Sequence, residues 1–205
     1  MDKKSPTLIT YTEWQSAYDF FNKELFNDSL PECVITLSGK SKRNMGSFAP
    51  DRYASEGGEI KDGLMMNPKH FRRGLIDTLS TLVHEMCHVW IHHFGKTKSR
   101  NGYHSKEWGT LMESVGLMPS KTGQQMTHYI IDAAPFETAA KRLLEEKFRI
   151  SWADAQTVDS NRATKSKARN KSKYSCKVCK ATVWGKPELR INCGECKARF
   201  VEILV

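Results

Sequence analysis

The sequence predicts two unequal units: a domain of mixed helices and strands, and behind it a module too small to fold by burying apolar surface alone. Three observations carry this. Leu75 to Phe94, LIDTLSTLVHEMCHVWIHHF, repeats apolar residues at helical spacing and sets ionisable residues on another face. Between residues 33 and 67, short apolar runs alternate with turns bearing Pro, Gly and Asn. Four cysteines fall in two pairs between residues 176 and 196, inside a segment that holds the chain's net charge.

The 205 residues suffice for one ordinary domain and a small module, and 39% hydrophobic content with five Trp can supply a core. The longest apolar runs are too short to span a bilayer, so no membrane association is expected. The N-terminal MDKKSPTLITYTEW lacks the apolar segment of a signal peptide. The expected location is therefore cytoplasmic, nucleoid-associated in a bacterium. Thiols stay reduced there, and the six cysteines read as metal ligands or core residues rather than disulfides. Charge is unevenly placed: residues 1–160 hold 20 Lys/Arg and 20 Asp/Glu, residues 161–205 hold 12 and 3. The net +9 thus lies in the last 45 residues and points to a polyanion partner.

Taken in order, Thr12 opens a first helix with Gln15 completing a capping-box pattern, and Trp14, Ala17, Tyr18, Phe21 and Leu25 form its apolar face. The helix stops near Asn27-Asp28. Cys33 to Leu37 reads as a buried strand in which Cys33 is a small core residue. Gly39 to Asn44 is a polar turn. Met45 to Ala49 and Gly58 to Asn67 are two further strands joined by the Pro50–Gly57 loop, and Pro68 ends the second. The long helix follows Gly74, with Leu75, Leu79, Leu82, Val83, Met86 and Trp90 facing the core. After a basic loop, Gly95 to Gly102, Ser105 caps another helix that ends at Gly116. Met126 to Ile131 is strand-like, and Glu137 to Phe148 a short helix. Residues 1–154 form the first domain, 155–173 a basic linker and 174–205 the second module.

Within the long helix, His84-Glu85-Met86-Cys87-His88 is an HExxH motif. Residues four apart on a helix share a face, so His84 and His88 can close on one zinc ion while Glu85 reaches a water on that ion. A catalytic zinc takes a third protein ligand. His92 lies eight residues from His84, roughly 12 Å along the axis, too far for the same ion. His93 points elsewhere. His104 and the carboxylates Glu107 and Glu113 remain, and His104 is favoured because a loop and helix start can swing it under the first helix. His70 and His128 read as surface or core histidines.

HEMCHVW, GYHSKEW and GEIKDGLMMNP resemble the SprT-like (Spartan-type) zinc metallopeptidases, and NMGSFAP and GLMPSKTG are similar to segments of bacterial and phage members. The resemblance covers roughly residues 10–150. It implies an α+β fold with helices on a small antiparallel sheet. It also implies that His84, His88 and His104 hold the zinc and that Glu85 is the catalytic base. Ser105 stands where many relatives carry Gly. Zinc lowers the pKa of bound water toward about 7 and polarises a peptide carbonyl, and Glu85 carries the proton to the leaving amine. Tyr103 and His128 are the side chains considered as oxyanion donors.

Cys176-x2-Cys179 and Cys193-x2-Cys196 have the spacing of a closed structural zinc site in a zinc ribbon. The metal must supply folding energy, since Val178, Val183, Trp184, Ile191, Phe200 and Ile203 offer few apolar contacts. Trp184 reads as core, or alternatively as a base-stacking side chain. Lys165, Lys167, Arg169, Lys171 and Lys173 precede the ribbon without an acidic residue among them and suit sequence-independent phosphate contacts. The expectation is a monomeric zinc endopeptidase with one catalytic and one structural zinc, tethered to DNA, single-stranded or junction, and acting on DNA-bound or DNA-crosslinked proteins. The alternative is a non-proteolytic nucleic-acid-binding or transcription-associated factor with structural zinc sites.

Overall fold

A computed structural model describes residues 5–96, 104–120, 128–155, 172–186 and 189–203. The chain divides into two compact units, Met1–Val158 and Asp159–Val205.

In the first unit, helix α1 spans Pro6–Phe26. It starts earlier than the Thr12 reading, because Ser5 and Pro6 provide the stronger signal. The Ser5 hydroxyl accepts from the Leu8 N–H, and proline at the first helical position loses no hydrogen bond. Gln15, expected in a capping box, instead donates one turn ahead to Asp19. Asn27 ends the helix in the left-handed conformation.

Strands β1 (Cys33–Leu37), β2 (Gly46–Ala54) and β3 (Ile60–Met66) form one sheet in the order β1-β3-β2. The β2–β3 hairpin is antiparallel, while β1 joins the other edge of β3 in parallel. A chain that has crossed once through β2 returns along β3 in the direction of β1, so the sheet is mixed. β2 continues through Pro50, where a loop was expected. A bulge between Ala49 and Tyr53, with Asp51 at φ 50°, takes up the residue that cannot donate. The buried Asn67 side chain donates to Ser41 and Asn44 carbonyls and pins the preceding polar turn.

A 3₁₀ turn, Pro68–Arg73, leads through Gly74 into α2, Leu75–Phe94, whose limits match the sequence reading. Helix α3 (Lys106–Ser114) is capped by Ser105, whose hydroxyl accepts from Trp108 N–H at 3.1 Å. Strands β4 (Leu117–Pro119) and β5 (His128–Ile130) pair antiparallel, and α4 (Pro135–Glu145) follows. Gly116 makes the turn between α3 and β4 at φ 92°, where a Cβ would strike that of Ala134 at 2.7 Å.

One core joins these elements. Trp14, Ala17 and Phe21 of α1, Leu64 of β3, Leu79, Leu82, Val83 and Met86 of α2, and Phe136 and Ala140 of α4 are fully buried together. The Phe21 and Phe136 rings lie 5.7 Å apart, and Arg142 closes the α1–α4 edge by pairing with Glu24. Among the described residues no helix is long and apolar enough to cross a membrane.

The second unit is a three-stranded antiparallel sheet, order β7-β6-β8, from β6 (Ser172–Cys176), β7 (Thr182–Gly185) and β8 (Phe200–Ile203). Its core is Tyr174, Cys176, Cys193 and Phe200, with Ile191 packed against them. The Tyr174 hydroxyl donates to the Lys186 carbonyl and accepts from Leu189 N–H. Trp184, read from sequence as core, is 63% exposed, and Val178 and Val183 are exposed too. A sheet this small has one shallow buried face, and Tyr174 already fills it.

Candidate metal centres

Helix α2 divides its surface between two tasks. Leu79, Leu82, Val83 and Met86 drive it into the core, and the register this fixes turns His84 and His88 toward α3. His104, held at the mouth of α3 by the Ser105 cap, completes a set whose ligand atoms all lie within 4.8 Å of one another. His88 Nε2 and His104 Nε2 are 3.2 Å apart. Two nitrogens bound tetrahedrally at about 2.05 Å stand about 3.3 Å apart, so the spacing suits one zinc-sized ion. Glu107 does not join the set, since both its oxygens accept from Lys96 N–H at 3.0 to 3.1 Å. Glu113 is exposed near the far end of α3.

Burial keeps these imidazoles in the ligand-competent neutral form. His84 is held well below its usual range, by burial and then by the neighbouring His88, His128 and His104; His88 is pushed down to about 3 by burial and His104. His104 is also lowered by burial. Trp108 backs the set, its ring 4.0 Å from that of His104 and stacked on His88 at 5.2 Å.

Glu85 lies buried beneath the start of β2. Its carboxyl is pushed up to about 8 by burial, partly offset by a hydrogen bond from Phe48 N–H. Gly46 leaves the space: a Cβ there would stand 2.8 Å from Glu85 Oε1.

His128, read from sequence as an ordinary core or surface histidine, stands against the set. Its Nδ1 is 3.2 Å from His84 Nδ1, and its Nε2 is 2.9 Å from Ser80 Oγ. Ser80 Oγ lies 2.9 Å from the Asp77 carbonyl, which can only accept. The hydroxyl therefore donates to Asp77 and accepts from His128 Nε2–H. A neutral His128, pushed down to about 4 by burial and then by Arg73, has no second N–H, so its Nδ1 accepts from His84 Nδ1–H. This chain of bonds fixes the His84 tautomer with the Nε2 lone pair free. With both nitrogens engaged, His128 is a poor oxyanion donor. Tyr103 lies outside the described residues. Arg73, also missed by sequence reading, donates to Thr81 Oγ1 at 2.6 Å on the same helix. No spacing rule links Arg73 or His128 to the motif.

In the second unit, Cys176, Cys179, Cys193 and Cys196 converge within 4.8 Å. Cys179 and Cys193 Sγ are 3.7 Å apart, against about 3.8 Å for two thiolates on a tetrahedral zinc. The two knuckles repeat one geometry: Lys180 N–H donates to Cys176 O and Lys197 N–H to Cys193 O, with both lysines left-handed. The Cys179 and Val178 N–H groups draw the Cys176 thiol down to about 7. Of the basic run only Lys173 is described; Lys165, Lys167, Arg169 and Lys171 lie outside the described residues. Lys173 Nζ stands 6.0 Å over the exposed Trp184 ring.

An α+β domain presenting HExxH beside a third histidine at the mouth of the next helix defines a metallopeptidase-like domain. The profile of the SprT-like family matches residues 14–129, more than half of the chain, and the chain belongs to that family. A stretch of 48 residues is 56% identical to a Salmonella typhimurium protein described as the uncharacterized protein in the mucB 3′ region. It covers 23% of this chain and 64% of that protein, so the chain spans less than two thirds of that relative's length.

Proposed function

We propose that the chain is a zinc-dependent endopeptidase that acts on DNA-bound or DNA-crosslinked proteins, with a zinc ribbon as its tether. The observation that carries the peptidase reading is a buried Glu85 carboxyl next in the chain to His84 of a three-histidine set, an acid–base group that a purely structural metal site does not need. Zinc held by His84, His88 and His104 would supply Lewis-acid activation of water and of the peptide carbonyl. Glu85, ionised once a cation lies beside it, takes the water proton and returns it to the leaving amine. Phe48 N–H orients the carboxylate, and Trp108 keeps water from the back of the imidazoles. Among the described residues β2 is an edge strand of its sheet, and such an edge suits an extended peptide.

Four thiolates of the ribbon would hold the second zinc. The basic composition of residues 161–205, with Trp184 exposed beside Lys173, supports a nucleic-acid tether in which the ring stacks on unpaired bases. The test uses full-length protein. Glu85→Gln should keep its zinc and lose cleavage of an unstructured protein. Reversing Lys165, Lys167, Arg169, Lys171 and Lys173 to Glu should leave that cleavage intact, yet weaken single-stranded DNA binding and flatten its salt dependence. Wild-type cleavage by Glu85→Gln would sink the peptidase reading. Unchanged DNA affinity after charge reversal would sink the tether.

A further inference from the structure

Helix α2 carries two more histidines that the HExxH set does not use. His92 and His93 occupy its last turn, one turn beyond His88, with their rings 4.9 Å apart. Both are exposed. Facing them from β3 is Asp62, only 3% exposed. His93 Nε2 is 2.7 Å from Asp62 Oδ2, and the three side chains offer ligand atoms that all lie within 4.8 Å of one another.

A buried carboxylate needs a cationic partner. Asp62 has no Lys or Arg in ion-pair contact among the described residues, and its neighbour Lys61 is engaged with Glu32 and Glu59. Its other oxygen, Oδ1, accepts from Asp51 N–H at 2.8 Å, so the β2 bulge fixes the carboxylate and leaves Oδ2 aimed at the imidazoles. An oriented carboxylate with one oxygen tied down is how proteins position an anionic metal ligand. The carbonyl end of α2 adds partial negative charge, which favours a cation there. His92, whose ring also packs 5.8 Å from that of Phe48, is held within reach of both.

We propose that Asp62, His92 and His93 form a further metal site, separate from the HExxH and four-cysteine sets, for a late first-row divalent cation such as Zn2+ or Ni2+. Two imidazoles and one carboxylate suit that class, and the exposed histidine side leaves room for water in the remaining positions. The ion replaces the proton shared by His93 and Asp62, opening their 2.7 Å contact toward the spacing of about 3.3 Å between two ligands on one ion. Bound there, it clamps the end of α2 to β3.

The test is zinc content of the full-length chain after equilibrium dialysis at fixed free Zn2+, with Ni2+-dependent thermal stabilisation as a second readout. His92→Ala leaves the Asp62–His93 contact and the HExxH set untouched. Asp62→Asn keeps the acceptor for Asp51 N–H and removes the anionic donor. The expected result is one zinc equivalent fewer than wild type in each variant, and loss of the Ni2+-induced rise in Tm. Equal zinc content and equal Ni2+ response in wild type and His92→Ala would overturn the proposal, and neither outcome depends on proteolysis.

Discussion

Gly46→Ala tests whether the position of Glu85 matters, because the added methyl meets the Glu85 side chain first and Thr81 next. The new Cβ would stand 2.8 Å from Glu85 Oε1, 2.9 Å from its Cγ and 3.0 Å from Thr81 Cγ2. Ordinary contact begins near 3.4 Å, so the Glu85 side chain must retreat by about 0.5 Å. It has little freedom to do so: Glu85 is buried, and Thr81 is held by Arg73. Overpacking of this kind costs about 1–3 kcal/mol, or about 2–10 °C in Tm for a domain of this size. A displaced catalytic group costs more in rate, on the order of 10–100-fold in kcat/KM. The assay is zinc-dependent cleavage of an unstructured protein, with metal content measured on the same sample. Gly109→Ala is the control, since its Cβ meets nothing within 4 Å in the middle of α3 and should gain about 0.5–1 kcal/mol. If Gly46→Ala cleaves as fast as Gly109→Ala at equal zinc content, the assigned place of Glu85 is wrong.

Three other outcomes are expected. His104→Ala should lose one zinc equivalent and Glu107→Ala none; the reverse pattern would move the third ligand to the carboxylate. His128→Ala removes the acceptor for His84 Nδ1–H, and zinc affinity measured by chelator competition should fall about 10–100-fold, with His128→Gln recovering part of it. An unaltered affinity in His128→Ala would dismiss the hydrogen-bond chain. In metal-free Glu85→Gln protein, stability should decline as pH falls from about 6.5 toward 4. His88 and His128 are depressed to about 3 and about 4, so the unfolded chain binds more protons across that window. Glu85, raised to about 8, acts oppositely and stabilises most at low pH, which is why the amide variant isolates the histidines. Flat Tm values from pH 6.5 to 4.5 would contradict neutral burial of these rings.

Much of this arrangement was legible in the sequence. The limits of α2 followed from an apolar period and a flanking glycine, and the cysteine pairs from their spacing. What escaped depended on contacts between distant segments. His128 is 44 residues from His84, and it meets that side chain from a strand paired with β4. Trp108 has the composition of any core tryptophan until His88 is found stacked on it. The sequence reads Pro50–Gly57 as a loop, while β2 runs on to Ala54 across a bulge that only the pairing with β3 reveals. Trp184 reads as core because the ribbon needs apolar side chains, yet Tyr174, preceding the first knuckle, takes that place.

The double burial of α2 also bears on how this chain can vary. Every residue from Thr78 to Cys87 is buried, core on one side and imidazoles on the other. An ordinary surface helix offers a permissive position about once per turn, so its tolerance to substitution rises and falls with the helical period. Here that oscillation should vanish for ten consecutive residues and resume only where His88 and Trp90 begin to emerge. Saturation mutagenesis read out by folding alone would show the stretch as an unbroken intolerant band, twice the length of the five-residue motif and ending one residue short of its last histidine.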